Sequence, residues 1–201
     1  MNKFVYNAPT EWTPKEHFPD LSKEKLISID LETCDTQLTT HGSGWATKNG
    51  YVTGIAVATA NWEGYYPIAH NGGNLDKTKV LDWFKTVAKL DCPKIFHNAS
   101  YDIGWIKSLG ITVNGKVHDT MISSALLDEN RYSYTLNSLA KDKLGRTKNE
   151  DLLIAAAKEF GVDPKKEMYK LPSMHVGEYA EYDARLTYDL YLLNKEEIQK
   201  Q

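Results

Sequence analysis

The sequence predicts an α/β layered domain in which a mixed sheet is flanked by helices, and three observations support this class. Before residue 70, apolar and polar residues alternate in short segments that are typical of strands. After residue 135, apolar residues recur at helical spacing, and between these regions the two patterns take turns. The chain has 201 residues, of which 41% are hydrophobic, so it is long enough to bury the core of one large domain.

The predicted elements follow one another with short connections. Residues 1–25 are polar and rich in proline and charge, and we expect a loosely attached N-terminal arm there, ahead of a domain at 26–201. Strands are predicted at 26–32, 51–60, 62–69, 93–98 and 111–118, with the second and third forming a hairpin. Helices are predicted at 75–90, 101–110 and 119–130, and in three further segments that occupy most of 135–200.

Charge and composition exclude several classes of protein. The formal net charge of −3 argues against a broad basic surface that follows the phosphates of a duplex. Cys34 and Cys92 have no paired spacing, which favours a reducing compartment. The longest apolar run, at 54–60, is too short to span a bilayer, and the N-terminus has no apolar signal segment. We therefore expect a cytoplasmic protein without membrane attachment.

Three short stretches carry acidic residues in unusual positions. IDLE places Asp30 and Glu32 on one face of a strand, where two neighbouring carboxylates repel each other and are costly to bury. HNASYD places Asp102 at the start of a helix that directly follows a strand. YAEYD places Tyr179 and Asp183 on one face of a helix, four residues apart. Ligand sets made only of carboxylates suit Mg²⁺ or Mn²⁺ rather than Zn²⁺.

Each acid has a structural explanation when it is taken alone, as a strand end, a helix cap or a solvated face. The three stretches in this order are a stronger indication. IDLE, NASYD and YAEYD resemble the three exonuclease motifs of the DEDD superfamily in its tyrosine-bearing subclass. About residues 26–195 are similar to the 3′–5′ proofreading exonuclease domain of family A DNA polymerases, particularly those of phages.

This resemblance implies a ribonuclease H-like (DnaQ-like) fold and a two-metal-ion 3′–5′ exodeoxyribonuclease. It implies that Asp30, Glu32 and Asp183 hold one Mg²⁺ or Mn²⁺ ion. Asp30, together with Asp102 through water, would hold the second ion, and Tyr179 would position the attacking water. The expected cellular setting is the cytoplasm of a bacterial or phage-infected host cell, and the expected partner is a DNA polymerase subunit or domain.

For the substrate we expect single-stranded or frayed 3′ DNA ends, because a few stacked bases can hold a strand end without a basic surface. Tyr101 and Tyr134 are predicted substrate contacts through their rings. Asn98 is predicted to contact the substrate by resemblance to the family. Tyr132 and Trp105 are further aromatic candidates, although core packing is the better explanation for Trp105.

Other polar residues receive structural assignments. The sister subclass carries a histidine five residues before the last aspartate, where this chain has Glu178, so the tyrosine subclass is favoured. His175 is expected in an exposed loop, Asp119 as a helix cap, and Asp35 and Asp189 as solvated side chains.

Two alternative functions remain open at this point. The same motifs occur in RNA-trimming exonucleases of the ribonuclease D type. A catalytically silent module that binds strand ends is the third possibility, although intact acids argue against it. The chain ends about 18 residues after Asp183, without polymerase regions, so we expect a split subunit, an excised domain or an independent nuclease.

Overall fold

The computed structural model describes residues 10–147 and 150–200, and it contains a mixed five-stranded sheet flanked by helices. The strands are β1 Ile27–Cys34, β2 Tyr51–Ala58, β3 Glu63–Pro67, β4 Lys94–Phe96 and β5 Val117–Asp119. Their order across the sheet is β3-β2-β1-β4-β5. β1 pairs antiparallel with β2 and β2 with β3, whereas β1, β4 and β5 run parallel. The predicted mixed sheet and its hairpin are confirmed.

The helices match the predicted positions with one exception. They are α1 Leu38–His41, α2 Gly44–Thr47, α3 Lys77–Lys89, α4 Ala99–Ser108, α5 Thr120–Leu127, α6 Leu136–Leu139, α7 Asp151–Phe160 and α8 Gly177–Ile198. The exception is the pair α1 and α2, which lie in a glycine-containing segment that was expected to be a loop. A π-helical turn, Ala140–Leu144, follows α6 directly. Across the described ranges, the structure has no helix that is long and apolar enough to cross a membrane.

The two faces of β1 carry different chemistry because successive side chains of a strand point in opposite directions. Ile27, Ile29 and Leu31 belong to a buried cluster that includes residues of α3 and α4. The other face of β1 is covered by α8, which contacts β1, β2 and β3. On that side Ala180 and Ala184 of α8 are fully buried, and such small side chains let a helix approach the sheet closely. The alternation thus puts Asp30 and Glu32 on the side of α8.

The part of the N-terminal arm at 10–25 is attached to the domain, which differs from the expected loose attachment. Phe18 stacks on Tyr66 with ring centroids 5.4 Å apart, and it meets the ring of Trp83 at 5.8 Å. The polar composition hid this docking because few side chains of the segment make it; besides Phe18, Trp12 and Leu21 pack in the buried clusters. The backbone carbonyls of His17 and Pro19 accept hydrogen bonds from Tyr66 and Trp83. Residues 1–9 of the predicted arm lie outside the described residues, and its boundary stays a prediction.

We expect Phe18→Ala to lower the free energy of unfolding by about 2 kcal/mol, because it removes a half-buried ring from two aromatic contacts. Urea denaturation of the variant and the parent chain measures this loss. Glu16→Ala, at an exposed position of the same segment, is the matched control and should change stability by less than about 0.5 kcal/mol. Equal stability of the two variants would show that the Phe18 ring does not stabilise the domain.

Candidate active site

β1 and α8 bring three carboxylates together on one face of the sheet. Carboxylate oxygens of Asp30, Glu32 and Asp183 all lie within 4.8 Å of one another. The strand supplies the first two because residues two apart share a face. The helix supplies the third from a buried position beside the sheet. The structure therefore places these three acids close enough for one cation to touch all of them, and their role as ligands stays a prediction.

Asp102, the fourth predicted acid, lies next to this group on α4 and is only 4% exposed. Its Oδ1 accepts the N–H of Leu31 at 3.1 Å, the residue between Asp30 and Glu32. Burial, and then the charge of Asp30, raises the pKa of the Asp102 carboxyl well above its ordinary value, while the Leu31 N–H lowers it. A cation among these groups would offset the repulsion that disfavours the charged form.

Tyr179 precedes Asp183 by one helical turn and lies on the same face of α8. Its hydroxyl hydrogen bonds with the Asp183 side chain. Burial first, and then the carboxylates of Asp183 and Glu32, raise the pKa of the Tyr179 phenol well above its usual value near 10. The hydroxyl therefore remains protonated, and able to donate a hydrogen bond, at neutral pH.

The turn that presents Asp102 depends on Asp119, a contribution that sequence reasoning missed. Asn98 has a left-handed backbone with φ of 69°, and its N–H donates to Asp119 Oδ1 at 3.1 Å. The N–H of Ala99 donates to Asp119 Oδ2 at 2.8 Å. Asp119 also accepts the N–H of Met121 at 2.9 Å, so its predicted role as the cap of α5 is confirmed. One carboxylate thus fixes two helix starts at the same edge of the sheet.

Tyr101, a predicted substrate contact, is half-buried and its hydroxyl is engaged. The Tyr101 hydroxyl lies 2.8 Å from Thr33 Oγ1 and donates to Asp35 Oδ2 at 3.0 Å. Burial raises the pKa of Tyr101 to about 12. Trp105 is 3% exposed, which confirms its assignment to the core. The contact of Tyr101 with substrate stays a prediction.

Tyr134 and the exposed Tyr132 lie on the segment between α5 and α6. The backbone carbonyl of Tyr134 is 2.9 Å from His97 Nε2, which ties this segment to the end of β4. The Tyr134 hydroxyl donates to the carbonyl of Asp128 at 2.7 Å. Tyr132 is fully exposed, so it is better placed to stack on a base than Tyr134, whose contact with substrate stays a prediction.

Three assignments of single residues differ from the structure. His175, expected in an exposed loop, is 2% exposed because the turn before α8 packs against α7, where the His175 ring lies 5.8 Å from the ring of Phe160. Asp35, expected to be solvated, accepts the N–H of Gly44 at 2.9 Å as well as the Tyr101 hydroxyl. Asp189, also expected to be solvated, forms an ion pair with Arg146.

A second layer beneath the acids consists of Tyr65 and His70. Gly54 pairs with Glu32 across β1 and β2, and a Cβ atom at Gly54 would lie 2.0 Å from the Tyr65 hydroxyl oxygen. The missing side chain of Gly54 thus leaves room for the Tyr65 hydroxyl, which hydrogen bonds with His70 Nε2. The only sequence signal for this layer was the glycine inside β2.

His70 gives the fold a pH dependence with a defined sign. Burial lowers the pKa of His70 to about 4, whereas an unfolded chain takes up the proton near pH 6.5. The unfolded state therefore binds more protons between these values, and stability falls as the pH drops from 6.5 to 4. We expect His70 to contribute a loss of about 3 kcal/mol over this interval.

The measurement is urea denaturation of the parent chain and His70→Gln at several pH values. Glutamine can keep a hydrogen bond to Tyr65 and does not titrate. The difference in unfolding free energy between the two proteins should change across pH 4–6.5 and stay constant above it. A difference that is independent of pH would show that burial does not lower the pKa of His70 in the folded protein.

Comparisons with known proteins agree with this geometry. A family model described as 3′–5′ exonuclease matches residues 7–198. The DNA-directed DNA polymerase of Pseudomonas phage M6 is 36% identical over 195 residues, which cover 91% of this chain and 29% of that protein. The chain spans less than a third of the length of the curated relatives it matches.

Two solved structures show the likeness of the fold. NrnC of Brucella melitensis with bound Mg²⁺ has a TM-score of 0.61 at 16% identity, covering 94% of this chain and 80% of that one. Trypanosoma brucei RNase D in complex with RNA U12 has a TM-score of 0.60 at 18% identity, covering 86% and 56%. The predicted ribonuclease H-like fold is confirmed. By the family model and the phage relative, the chain belongs to the 3′–5′ exonuclease domains of family A DNA polymerases.

Proposed function

We propose that this exonuclease domain hydrolyses DNA from a 3′ end and releases nucleoside 5′-monophosphates, as proofreading for a DNA polymerase. The observation that carries the proposal is the group of three carboxylates, from Asp30, Glu32 and Asp183, whose oxygens lie within 4.8 Å of one another. Tyr179 lies beside them on the same helix face. Family membership supplies the reaction class, and the cluster supplies residues that suit it.

The donor set fits Mg²⁺ or Mn²⁺. All three residues of the cluster offer carboxylate oxygens, and hard divalent cations prefer oxygen ligands. We assign one ion to Asp30, Glu32 and Asp183, and a second to Asp30 together with Asp102 through water. When bound, such ions activate water and stabilise the leaving oxygen of a phosphodiester.

The residues of the chain then have separate tasks. Tyr179 stays protonated, so its hydroxyl can turn from Asp183 to donate its single hydrogen bond to the attacking water, and it orients that water towards phosphorus together with Glu32. Leu31 holds the Asp102 carboxylate through its N–H, which keeps α4 aligned with β1. These contacts fix the acids before substrate arrives, and fixed geometry is a major source of catalysis.

The substrate that we propose is a single-stranded or frayed 3′ end. With a net charge of −3, the domain has little general attraction for the phosphates of a long duplex. Asn98, Tyr101 and Tyr134 are proposed as contacts to the strand, because all three lie around the turns at the carboxyl ends of β4 and β5. The relatives carry this domain within much longer polymerases, which supports a polymerase partner and the cytoplasm of a bacterial or phage-infected cell.

The experiment is digestion of a single-stranded DNA labelled at its 5′ end, with Mg²⁺, with Mn²⁺ and with a chelator. We expect a ladder that shortens from the 3′ end, only with metal, and 5′-monophosphates as products. A closed circular single strand of the same length should remain intact. Cleavage of the circle would contradict exonuclease action.

The same assay separates the alternatives. The likeness to an RNase D keeps RNA as a second candidate substrate, so an RNA of the same sequence is digested in parallel, since the 2′-hydroxyl is the local difference. Faster digestion of RNA would replace the DNA assignment. Binding of the strand without turnover in either metal would favour a catalytically silent module.

A further inference from the structure

The N-terminal arm crosses the edge of the sheet at β3, the outermost strand on that side. Lys15 donates to the backbone carbonyl of Glu63, the first residue of β3. It also forms an ion pair with Glu181 of α8 at 3.4 Å. Phe18, three residues later, stacks on Tyr66 in the buried cluster that includes α3. The arm thus passes from the α8 side of the sheet to the α3 side.

Trp12 fills the space between the first residue of α8 and β3. A Cβ atom at Gly177 would lie 2.1 Å from the Trp12 ring, so the bare backbone of Gly177 packs directly on that ring. The ring centroids of Trp12 and Tyr65 are 6.2 Å apart. Trp12 and Tyr179 both pack against the buried cluster that contains Tyr65 and Ala180. The Trp12 ring therefore sets how closely the start of α8 approaches the sheet.

These contacts lie on one flank of α8, and the reactive side chains lie on the other. At about 3.6 residues per turn, Gly177 and Glu181 share one flank of the helix, and Tyr179 and Asp183 share the second. The buried alanines of α8 lie between the two flanks and face the sheet. Such small side chains offer little resistance to a roll of the helix about its axis. The flank contacts, including the hydrogen bond from the Tyr65 N–H to Glu181 Oε1 at 3.1 Å, fix that angle.

A small roll of α8 would have a large effect at the acidic cluster. Side-chain atoms lie about 5–6 Å from the axis of a helix, so a roll of about 10° moves them by about 1 Å. A misplacement of about 1 Å at a reacting group can lower a rate on the order of 10²-fold. Tyr179 and Asp183 would move together because they project from the same flank.

We infer that Trp12 is a positioning residue for the exonuclease reaction, which fixes the roll of α8 and thereby the place of Tyr179 and Asp183. It acts through Gly177 and Tyr65, on the flank away from the acids. The inference rests on the proposed function, because that function gives Tyr179 and Asp183 their tasks. The N-terminal arm is then part of the catalytic apparatus as well as part of the fold.

The test compares Trp12→Ala with Phe18→Ala, a matched control from the same arm. Both changes remove a packed aromatic ring, but Phe18 contacts Tyr66 and Trp83 on the α3 side of the sheet. Trp12→Phe keeps an aromatic ring against α8. Digestion of a 5′-labelled strand with Mg²⁺ gives kcat and KM, at a temperature at which thermal melting shows every variant to be folded.

For Trp12→Ala we expect kcat to fall about 10- to 10²-fold and KM to change by less than about twofold, because reacting groups are displaced while contacts to the strand remain. Trp12→Phe should recover most of the loss. Phe18→Ala should match the parent chain in both constants. Equal kcat for Trp12→Ala and Phe18→Ala would overturn the inference.

A double-mutant cycle with Tyr179→Phe separates positioning from a general loss of structure. A displaced Tyr179 has little left to lose, so Trp12→Ala/Tyr179→Phe should lose less activity than the product of the two single losses. Single losses that multiply in the double variant would show that Trp12 acts independently of Tyr179, which contradicts the inference.

The rise in melting temperature caused by Mg²⁺ is a readout that does not depend on hydrolysis. This rise should be smaller for Trp12→Ala than for Phe18→Ala, because Asp183 leaves its place in the acidic cluster and the ion binds less well. An equal rise in the two variants would overturn the inference. Absence of digestion by the parent chain would contradict the proposed function itself, and the comparison of melting temperatures would still decide the role of Trp12.

Discussion

Asp183→Asn is expected to lower the turnover of 3′ ends by at least about 10³-fold at saturating Mg²⁺. Asparagine keeps the size of the side chain and removes its charge. Asp183 lies within 4.8 Å of both Asp30 and Glu32, so the change reduces the charge of the site and the number of ionised ligands together. We expect Asp30→Ala to have an effect of the same order.

Glu178→Gln is the matched control for Asp183→Asn. It removes one carboxylate from the same helix, five residues earlier, at an exposed position. Single-turnover digestion of a 5′-labelled strand measures all three proteins. Near-normal turnover of Asp183→Asn at saturating Mg²⁺ would contradict the assignment of the acids, whereas an equal loss in both variants would point to the helix rather than the carboxylate.

Asp183→Asn should leave the fold intact. Removing one of three clustered carboxylates relieves repulsion, so Asp183→Asn should be as stable as the parent chain, or more stable, in metal-free buffer. Mg²⁺ should then raise the melting temperature of the parent chain more than that of the variant, because only an intact site binds the ion well. This comparison separates a lost metal site from a damaged fold.

Local patterns predicted the parts of the molecule in which neighbouring residues decide the structure. Alternation along β1 placed Asp30 and Glu32 on one face of that strand. Helical spacing placed Tyr179 and Asp183 on one face of α8. The meeting of these two pairs could be expected only from the resemblance to known exonucleases, since nothing in the spacing of two distant segments specifies their distance. The structure brings them together through the packing of α8 on the sheet.

Contacts that join distant segments escaped the sequence analysis. Asp119 looked like a simple helix cap, yet it also holds the turn before α4, 20 residues earlier in the chain. Phe18 lies in a segment of polar composition, and its attachment depends on two rings contributed by β3 and α3. Periodicity reports on one element at a time, so it cannot show a partner that lies on another.

Tyr179→Phe is expected to lower the single-turnover rate by about 10- to 10³-fold, the range for the loss of one positioning hydrogen bond. Affinity for the strand and for Mg²⁺ should be nearly unchanged, because the carboxylates and the ring remain. The loss should be the same from mildly acidic to mildly alkaline pH. The raised pKa of Tyr179 keeps its hydroxyl protonated over this whole range.

Tyr191→Phe is the control, since Tyr191 lies three turns further along α8 and packs against the ring of His118 at 4.8 Å. Rates of the parent chain and both variants are measured with excess enzyme, so that product release does not contribute. An unchanged rate for Tyr179→Phe would make Tyr179 a packing residue. A loss that grows as the pH rises would instead indicate that the hydroxyl acts in its deprotonated form, because that form becomes more populated at higher pH.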